Sequence, residues 1–226
     1  PVHPFPWPLK GNCNRNWMEN ALSEAAATAI QDIYDNRHGM LDDLTSFWSH
    51  AAKQFRDVPG VIGYEIMNEP FVGNFYRDPT LLLPGEAGHK NLQRMYDTVA
   101  SGIRQSDDRH IIFYEPVTWG MIFNGKIIGS GFTHVPGGMH FRNRSAYSYH
   151  YYCNTFVPSY GSKPKLTKVV CDDVVKSLIW GAVHQVLGTL GGAQMMTEGM
   201  ACDRNDNDEC ERVMQSLDAN LFSWTD

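Results

Sequence analysis

The chain has 226 residues, of which 42% are hydrophobic and 19% charged, and its formal net charge is −6 at pH 7. This length is enough for one large domain with its own hydrophobic core. The acidic balance and the lack of a basic cluster exclude the electrostatic surface that nucleic acid needs. No apolar stretch reaches the roughly 18–20 residues of a membrane span. We therefore expect neither a nucleic-acid-binding protein nor a transmembrane segment.

The five cysteines suggest two closed loops. Cys202 and Cys210 bracket a polar segment, and Cys153 and Cys171 bracket a segment rich in proline and lysine. Two disulfides that close these loops leave Cys13 over. Such pairs place the protein in an oxidising compartment, which is extracellular or lysosome-like. The alternative is a cytosolic protein with five free thiols.

Strand-like and helical segments alternate along the whole chain. Helices are inferred from apolar residues spaced three and four apart, and strands from short apolar runs. The predicted elements, in chain order, are a helix over 17–37, a helix over about 41–57, a strand over 61–67, a helix from Leu92 to Ile103, a strand over 110–116, a loop over 117–145, a strand over 146–152, a helix from Val174 to Leu187, a strand over 193–198, a short helix around Val213 and Leu217 and a strand over 221–224.

This alternation predicts an α/β fold with a parallel sheet. Polar, aromatic and acidic residues gather at the carboxyl ends of the strands, which is where a (β/α)₈ TIM barrel carries its active site. Five strands are predicted and a barrel needs eight. We therefore predict a partial barrel that holds about the last five β/α units and lacks the N-terminal ones. A doubly wound open sheet is the alternative, but no glycine-rich phosphate loop follows any strand, which disfavours a nucleotide site.

Two glutamates stand at the ends of two predicted strands. Glu69 lies in Asn68-Glu69-Pro70, where Pro70 ends the strand because it lacks an N–H. Glu198 closes a later strand in the same way. Glu65 and Glu69 have the same parity, so the pattern predicts that both point to one face of the sheet. Glycoside hydrolysis requires a pair of carboxylic acid residues, and two strand ends that each carry a glutamate could supply it.

The segments around these glutamates resemble glycoside hydrolase family 5. The residues that carry the resemblance are Asn68-Glu69-Pro70, His150 and Tyr152 in Tyr147-Ser148-Tyr149-His150-Tyr151-Tyr152, Thr197-Glu198-Gly199 and Leu221-Phe222-Ser223-Trp224. Their order along the chain is the family's order. Longer segments over 63–71, 113–120 and 149–153 resemble the eukaryotic endoglycoceramidases. The resemblance covers nearly the whole chain.

The resemblance implies a retaining glycosidase with no metal and no cofactor. Glu69 would be the acid/base and Glu198 the nucleophile. Asn68 would position a sugar hydroxyl, and His150 would orient either a sugar hydroxyl or the acid/base. Tyr152 would hold the nucleophile, and Trp224 would form the floor of a sugar subsite. Glu115 also ends a strand before a proline, and we expect it to line the cleft and perturb the other acids electrostatically.

The substrate implied by the resemblance is a glycosphingolipid, cut between oligosaccharide and ceramide at a membrane surface. One alternative is another family-5 β-glycosidase that acts on glucosylceramide or a sterol glucoside. A second is an inactive glycolipid-binding protein that keeps the cleft. Residues 1–226 would form part of the catalytic domain, without the C-terminal β-sandwich that many family members carry. A barrel that lacks strands has unpaired edges, so we expect the chain alone to be inactive, poorly folded or both.

Overall fold

The structure, a computed structural model, describes residues 20, 22–117, 130–152, 176–199 and 208–225. Side chains 208 and 209 are not described. Part of the predicted loop over 117–145 and the beginnings of the helices predicted over 17–37 and from Val174 lie outside these residues. So do Cys13, Cys153, Cys171 and Cys202. Cys210 is disulfide-bonded, but its predicted partner is among the undescribed residues, so the pairing stays a prediction.

Five strands of the described residues form one sheet in which every neighbouring pair is parallel. The strands are β1 (Gly63–Glu65), β2 (Ile111–Tyr114), β3 (Ser145–Tyr151), β4 (Ala193–Gly199) and β5 (Ser223–Trp224). Their order in the sheet is their order in the chain. A doubly wound sheet reverses its strand order part-way across, whereas a barrel never does. The strand order therefore excludes the doubly wound alternative.

The sheet is strongly curved. Thr197 on β4 donates a hydrogen bond of 2.9 Å to Glu65 on β1, although two strands lie between them. In a flat sheet strands three positions apart are separated by about 14 Å, which neither side chain could bridge. The contact shows that β1 and β4 face each other across a concave interior, as strands of a barrel do.

Helices cover the outer side of this curved sheet. They are α1 (Glu24–Tyr34), α2 (Met40–Phe55), α3 (Gln93–Ser106), α4 (Lys176–Leu190) and α5 (Asp208–Ala219), with short 3₁₀ segments at Arg37–Gly39, Pro79–Leu82 and Met139–Arg144 and a π-helical turn at Gly88–Leu92. Ser23 caps the N-terminus of helix α1, and its side chain accepts from the main-chain N–H of Ala26. None of the helices in the described part of the chain is both long enough and apolar enough to cross a bilayer.

Local sequence explains how the first strand is attached to its helices. Tyr64 points outward from β1, and its hydroxyl donates to the buried carboxylate of Asp107 at 2.7 Å. Trp48 on α2 donates from its indole to the carbonyl of Ile66 at 3.1 Å. Gly63 has no room for a side chain, because a Cβ there would lie 2.2 Å from the carbonyl oxygen of Ile111. These contacts fix β1, and with it the segment that carries Glu69.

The predicted elements are present, but several are shorter than predicted. β1 covers three residues of the predicted strand over 61–67, and the last strand covers two of the four residues predicted over 221–224. Glu65 and Glu69 both reach the interior, as predicted, but parity does not explain the direction of Glu69, because Glu69 lies beyond the end of β1. Its φ of +43° breaks the alternation of side chains, so its direction is set by the turn and not by the strand.

Candidate active site

Glu69 reaches the interior from the turn that follows β1. Its backbone has a φ of +43°, a conformation that costs a residue other than glycine about 1–3 kcal/mol. The main-chain N–H of Glu69 donates to Glu115 Oε2 at 3.2 Å. Glu69 keeps 27% of its side chain exposed. A strained, partly exposed acid at the carboxyl end of a strand is typical of a functional position.

An irregular pairing between β3 and β4 places Glu198. Tyr149 pairs with Met196, but the next residue, His150, pairs with Glu198, so the register shifts by one residue between them. Thr197 is the residue passed over. As a result, both Thr197 and Glu198 turn their side chains toward the interior, where regular alternation would admit only one. Bulges commonly re-aim side chains in this way next to active sites.

His150 lies at the centre of the carboxylates. Its Nδ1 is 2.9 Å from Glu69 Oε1 and 3.6 Å from Glu198 Oε2, and its Nε2 is 3.3 Å from Glu115 Oε1. The last contact is an ion pair whose alignment falls short of a hydrogen bond. Only 8% of the imidazole is exposed. One ring therefore links three carboxylates that come from three different strands or strand ends.

The charge of His150 follows from this environment. Burial alone would lower its pKa, but the contacts with Glu115 and Glu69 and the nearby charge of Glu198 outweigh burial and raise the pKa to about 10. The imidazole is therefore protonated at neutral pH. Burial raises the pKa of Glu115 above its ordinary value, and the contact with His150 partly offsets that rise.

The carboxylates of Glu69 and Glu198 converge. One oxygen of each, together with a ring nitrogen of His150, forms a group whose atoms all lie within 4.8 Å of one another. Retaining glycosidases hold their two carboxyl groups about 5–5.5 Å apart, whereas inverting enzymes need about 6.5–9.5 Å to admit a water. The close approach of the two nearest oxygens favours the retaining arrangement, in which one carboxylate attacks directly.

Tyr152 lies just past the end of β3 and faces Glu198. Its hydroxyl donates to Glu198 Oε2 at 3.1 Å. Glu198 is otherwise the most open member of the cluster, with 43% of its side chain exposed. The hydrogen bond therefore holds one oxygen of a carboxylate whose side chain is still partly open to solvent.

Within the described part of the chain, two of the predicted site residues make no hydrogen bond or ion pair with this cluster. Asn68 is exposed in the turn after β1. Trp224, on β5, is half-buried against the core, and its indole donates to Asp218 at 3.2 Å. The structure thus brings Glu69, Glu198, His150 and Tyr152 into one group and places Asn68 and Trp224 at the carboxyl ends of β1 and β5.

Two further acids lie next to the cluster. Glu115, which we expected to line the cleft, is only 3% exposed and lies directly against His150. Glu65 accepts from Thr197 and was recognised in the sequence only by its parity with Glu69. Tyr64 offers a firmer signal for the inward position of Glu65. Successive side chains of a strand point to opposite faces, so an aromatic Tyr64 packed against the helices places Glu65 on the interior face.

Two triads of ligand atoms in the described residues have the compactness of a cation site. They are Glu65, Glu115 and His150, and Glu69, His150 and Glu198. His150 belongs to both triads, and its contacts with Glu69, Glu115 and Glu198 account for their compactness without a cation. We interpret the cluster as a network of charged hydrogen bonds and ion pairs. The expectation that the reaction uses no metal stays a prediction.

A comparison with protein families decides the kinship of the chain. The profile of the family described as Cellulase (glycosyl hydrolase family 5) matches residues 14–225. The chain belongs to glycosyl hydrolase family 5. This confirms the resemblance inferred from the motifs around Glu69 and Glu198.

Proteins that are similar to this chain include an endoglycoceramidase from Hydra vulgaris. It is 46% identical over 147 residues, which are 65% of this chain and 27% of that protein. Among solved structures, endo-glycoceramidase II from Rhodococcus sp. is similar both as a lactosyl-enzyme intermediate (TM-score 0.71, 20% identity) and as a ganglioside GM3 complex (TM-score 0.70, 19% identity). Each match covers 100% of this chain and 46% or 47% of the Rhodococcus chain.

These likenesses settle the fold. The chain spans about a quarter of the length of the curated relative it matches and about half of the similar solved structures. Together with the strand order and the curvature, they confirm the prediction of a partial (β/α)₈ barrel.

Proposed function

We propose that the protein containing this chain is a retaining endoglycoceramidase, which hydrolyses the β-glycosidic bond between an oligosaccharide and ceramide. The observation that carries the chemistry is the convergence of Glu69 and Glu198 within 4.8 Å. The substrate is supported by the identity with the Hydra vulgaris endoglycoceramidase. It is also supported by the binding of ganglioside GM3 to the similar Rhodococcus protein.

The first step forms a covalent bond between sugar and enzyme. An oxygen of Glu198 attacks the anomeric carbon, while Glu69 transfers its proton to the ceramide oxygen as the C–O bond breaks. Tyr152 donates to Glu198 Oε2, which fixes the attacking carboxylate. The products of this step are free ceramide and a glycosyl ester of Glu198, with Glu69 now ionised.

The second step releases the sugar. Glu69, now a base, takes a proton from water, and the resulting hydroxide displaces Glu198 from the anomeric carbon. Two inversions give net retention of configuration. His150 contacts both carboxylates through Nδ1, so its position lets it stabilise whichever of the two is negative.

Substrate contacts complete the proposal. Asn68, exposed beside Glu69, would hydrogen-bond a sugar hydroxyl next to the scissile bond. Trp224, at the carboxyl end of β5, would offer an aromatic face to a sugar ring. These two roles rest on the resemblance to the family and on their places in the fold.

The location and the oxidation state of the cysteines are further parts of the proposal. A disulfide at Cys210 favours the loop-closing pair with Cys202. Disulfides of this kind persist in oxidising compartments. We propose that the protein acts outside the cell or in a lysosome-like compartment, at a lipid surface that presents its substrate.

The experiment that tests the substrate uses the complete protein and a ganglioside labelled in both sugar and lipid. An endoglycoceramidase releases the intact oligosaccharide and free ceramide in equal amounts. Release of glucose alone from glucosylceramide, with no oligosaccharide from the ganglioside, would instead identify a glucosylceramide or sterol-glucoside hydrolase. Binding of the ganglioside without any product would identify the inactive glycolipid-binding protein.

A further inference from the structure

Glu115 is a buried carboxylate that the two-carboxylate reaction does not use. It lies one residue past β2 and is 3% exposed. One of its oxygens accepts from the main-chain N–H of Glu69 at 3.2 Å, and the other lies 3.3 Å from His150 Nε2. A buried charge needs partners to compensate for its lost hydration. Both partners of Glu115 belong to the acid/base side of the site.

Glu115 is itself held firmly. Its main-chain N–H donates to the hydroxyl of Tyr96 at 2.9 Å. Tyr96 lies on α3 and is completely buried. The main chain of Glu115 is therefore anchored to a helix of the barrel wall, and a side chain that extends from a fixed main chain can support a neighbouring turn.

The turn at Glu69 needs such support. A φ of +43° is unfavourable for glutamate, and such conformations persist only when surrounding contacts hold them. Glu115 Oε2 accepts from the N–H of this residue itself. If the main chain relaxed to a negative φ, the direction of the Glu69 side chain would change, and the carboxyl group would leave its place near Glu198.

His150 is held by the same residue. A histidine ring that is fixed at one nitrogen presents the other in a defined direction. Glu115 lies at Nε2, and Nδ1 then points to Glu69 Oε1 at 2.9 Å. The two contacts of Glu115 thus converge on Glu69, one through its main chain and one through its side chain.

We propose that Glu115 is a positioning residue for the acid/base: one carboxylate oxygen holds the left-handed main chain of Glu69, and the other orients the imidazole that contacts the Glu69 side chain. This inference rests on the retaining chemistry of the proposed function and does not depend on ceramide as the leaving group. It assigns to Glu115 an effect on proton transfer to the leaving group and none on the nucleophile.

The test separates acid catalysis from general damage by varying the leaving group. Two β-glycosides with the same sugar are compared in the complete protein: one with an alkyl leaving group, which needs a proton, and one with 2,4-dinitrophenolate, which departs without one. The measured quantity is kcat/KM, because it reports the step in which the leaving group departs. For Glu115→Ala we expect a loss of about 100-fold with the alkyl glycoside and little change with the dinitrophenyl glycoside.

Two more variants keep the test sharp. Glu115→Gln preserves size and an oxygen for the Glu69 N–H but removes the charge facing His150, so we expect a smaller loss, about tenfold, with the alkyl glycoside. It should also lower the midpoint of the His150 titration in NMR spectra of the labelled histidine.

Tyr114→Phe is the matched control. Tyr114 precedes Glu115 and is buried, and its hydroxyl has no hydrogen-bond partner among the described residues. Tyr114→Phe should therefore hydrolyse both glycosides with the same kcat/KM as the wild type.

Each result decides between two accounts. Losses that are equal for the two substrates, with an unmoved His150 titration in Glu115→Gln, would overturn the positioning role and leave Glu115 as a structural residue. Wild-type hydrolysis of both synthetic glycosides but of no glycosphingolipid would refute the proposed substrate and still test Glu115. Wild-type hydrolysis of neither glycoside would overturn both proposals, since there would then be no acid/base to position.

Discussion

Thr197 and Glu65 are 132 positions apart in the sequence, and they meet across the barrel through a hydrogen bond of 2.9 Å from Thr197 Oγ1 to Glu65 Oε1. Thr197 directly precedes Glu198. The bond ties the strand that carries Glu198 to the strand that leads to Glu69. The separation between the two catalytic candidates therefore depends on a contact that neither of them makes.

Replacing Thr197 tests this link. Thr197→Val keeps the shape of the side chain but removes the hydroxyl that donates to the carboxylate of Glu65. We expect the free energy of unfolding to fall by about 1.5–3 kcal/mol, measured by urea denaturation of the complete protein. Thr189→Val is the matched control. The hydroxyl of Thr189 donates to a carbonyl of its own helix in an exposed place, and its removal should change stability by less than about 0.5 kcal/mol. Equal effects of the two variants would contradict the link.

The hydrogen bond from Tyr152 to Glu198 predicts a kinetic effect. Tyr152→Phe should lower kcat about 10- to 100-fold, because a hydrogen bond to a charged group contributes about 1.5–3 kcal/mol and this one holds the attacking carboxylate. Tyr149→Phe removes a hydroxyl from the same strand. Tyr149 faces outward and donates to Gln194 at 3.0 Å, so that variant should lose stability but keep kcat. Loss of kcat in both variants would argue against a specific role for Tyr152.

His150 predicts a pH dependence of stability. Its pKa is raised from 6.5 to about 10 in the folded protein, where the carboxyl groups that face it are those of Glu69, Glu115 and Glu198. Because the pKa is raised only in the folded state, protonation of His150 stabilises the folded protein. This stabilisation is fully present below pH 6.5. It disappears as the pH rises toward 10.

The measurement is the difference in unfolding free energy between wild type and His150→Gln. We expect this difference to be largest at pH 6 and to shrink steadily between pH 6.5 and about 10. His184→Gln is the control, since His184 is exposed on α4. A wild-type advantage over His150→Gln that stays constant across this range, or grows, would contradict a protonated His150.

Asp107 predicts the opposite dependence at low pH. Burial would raise its pKa, but hydrogen bonds from Tyr64 and from the main-chain N–H groups of Arg109 and His110 lower it to about 2. Its stabilisation is present above the ordinary pKa of 3.8 and disappears as the pH falls from 3.8 toward 2. The stability difference between wild type and Asp107→Asn should therefore shrink as the pH falls from about 4 toward 2. An unchanged difference down to pH 2 would contradict this.

Local patterns were sufficient for the order of the elements and for the positions of the two glutamates. Helical spacing predicted α3 and α4, and the apolar runs before Glu69 and Glu198 predicted β1 and β4. These signals are local, since each depends on residues within a few turns or a single strand. The ends of the short strands were less certain, because β5 pairs through only two residues, Ser223 and Trp224.

The arrangement of the cluster could not be predicted from such patterns. The positive φ of Glu69 and the register shift at His150 are fixed by contacts with distant strands. Glu115 lies 46 positions from Glu69, and no periodicity relates them. The sequence alone predicts only that Glu115, an acid before a proline, lines the cleft and perturbs the other acids. Its burial and its two contacts with the acid/base side emerge only when β1, β2 and β3 are adjacent.

The central claim is that Glu69 and Glu198 have different roles in a retaining reaction, and azide tests it most directly. With Glu198→Gly in the complete protein and an activated β-glycoside, azide fills the vacated space and displaces the leaving group once, so the product should be the α-glycosyl azide. With Glu69→Ala, Glu198 still forms the glycosyl ester and azide then displaces it, so the product should be the β-glycosyl azide. The anomeric configuration of each product is read from its proton NMR coupling constant. The opposite pairing of variants and configurations, or the same anomer from both variants, would contradict the assignment.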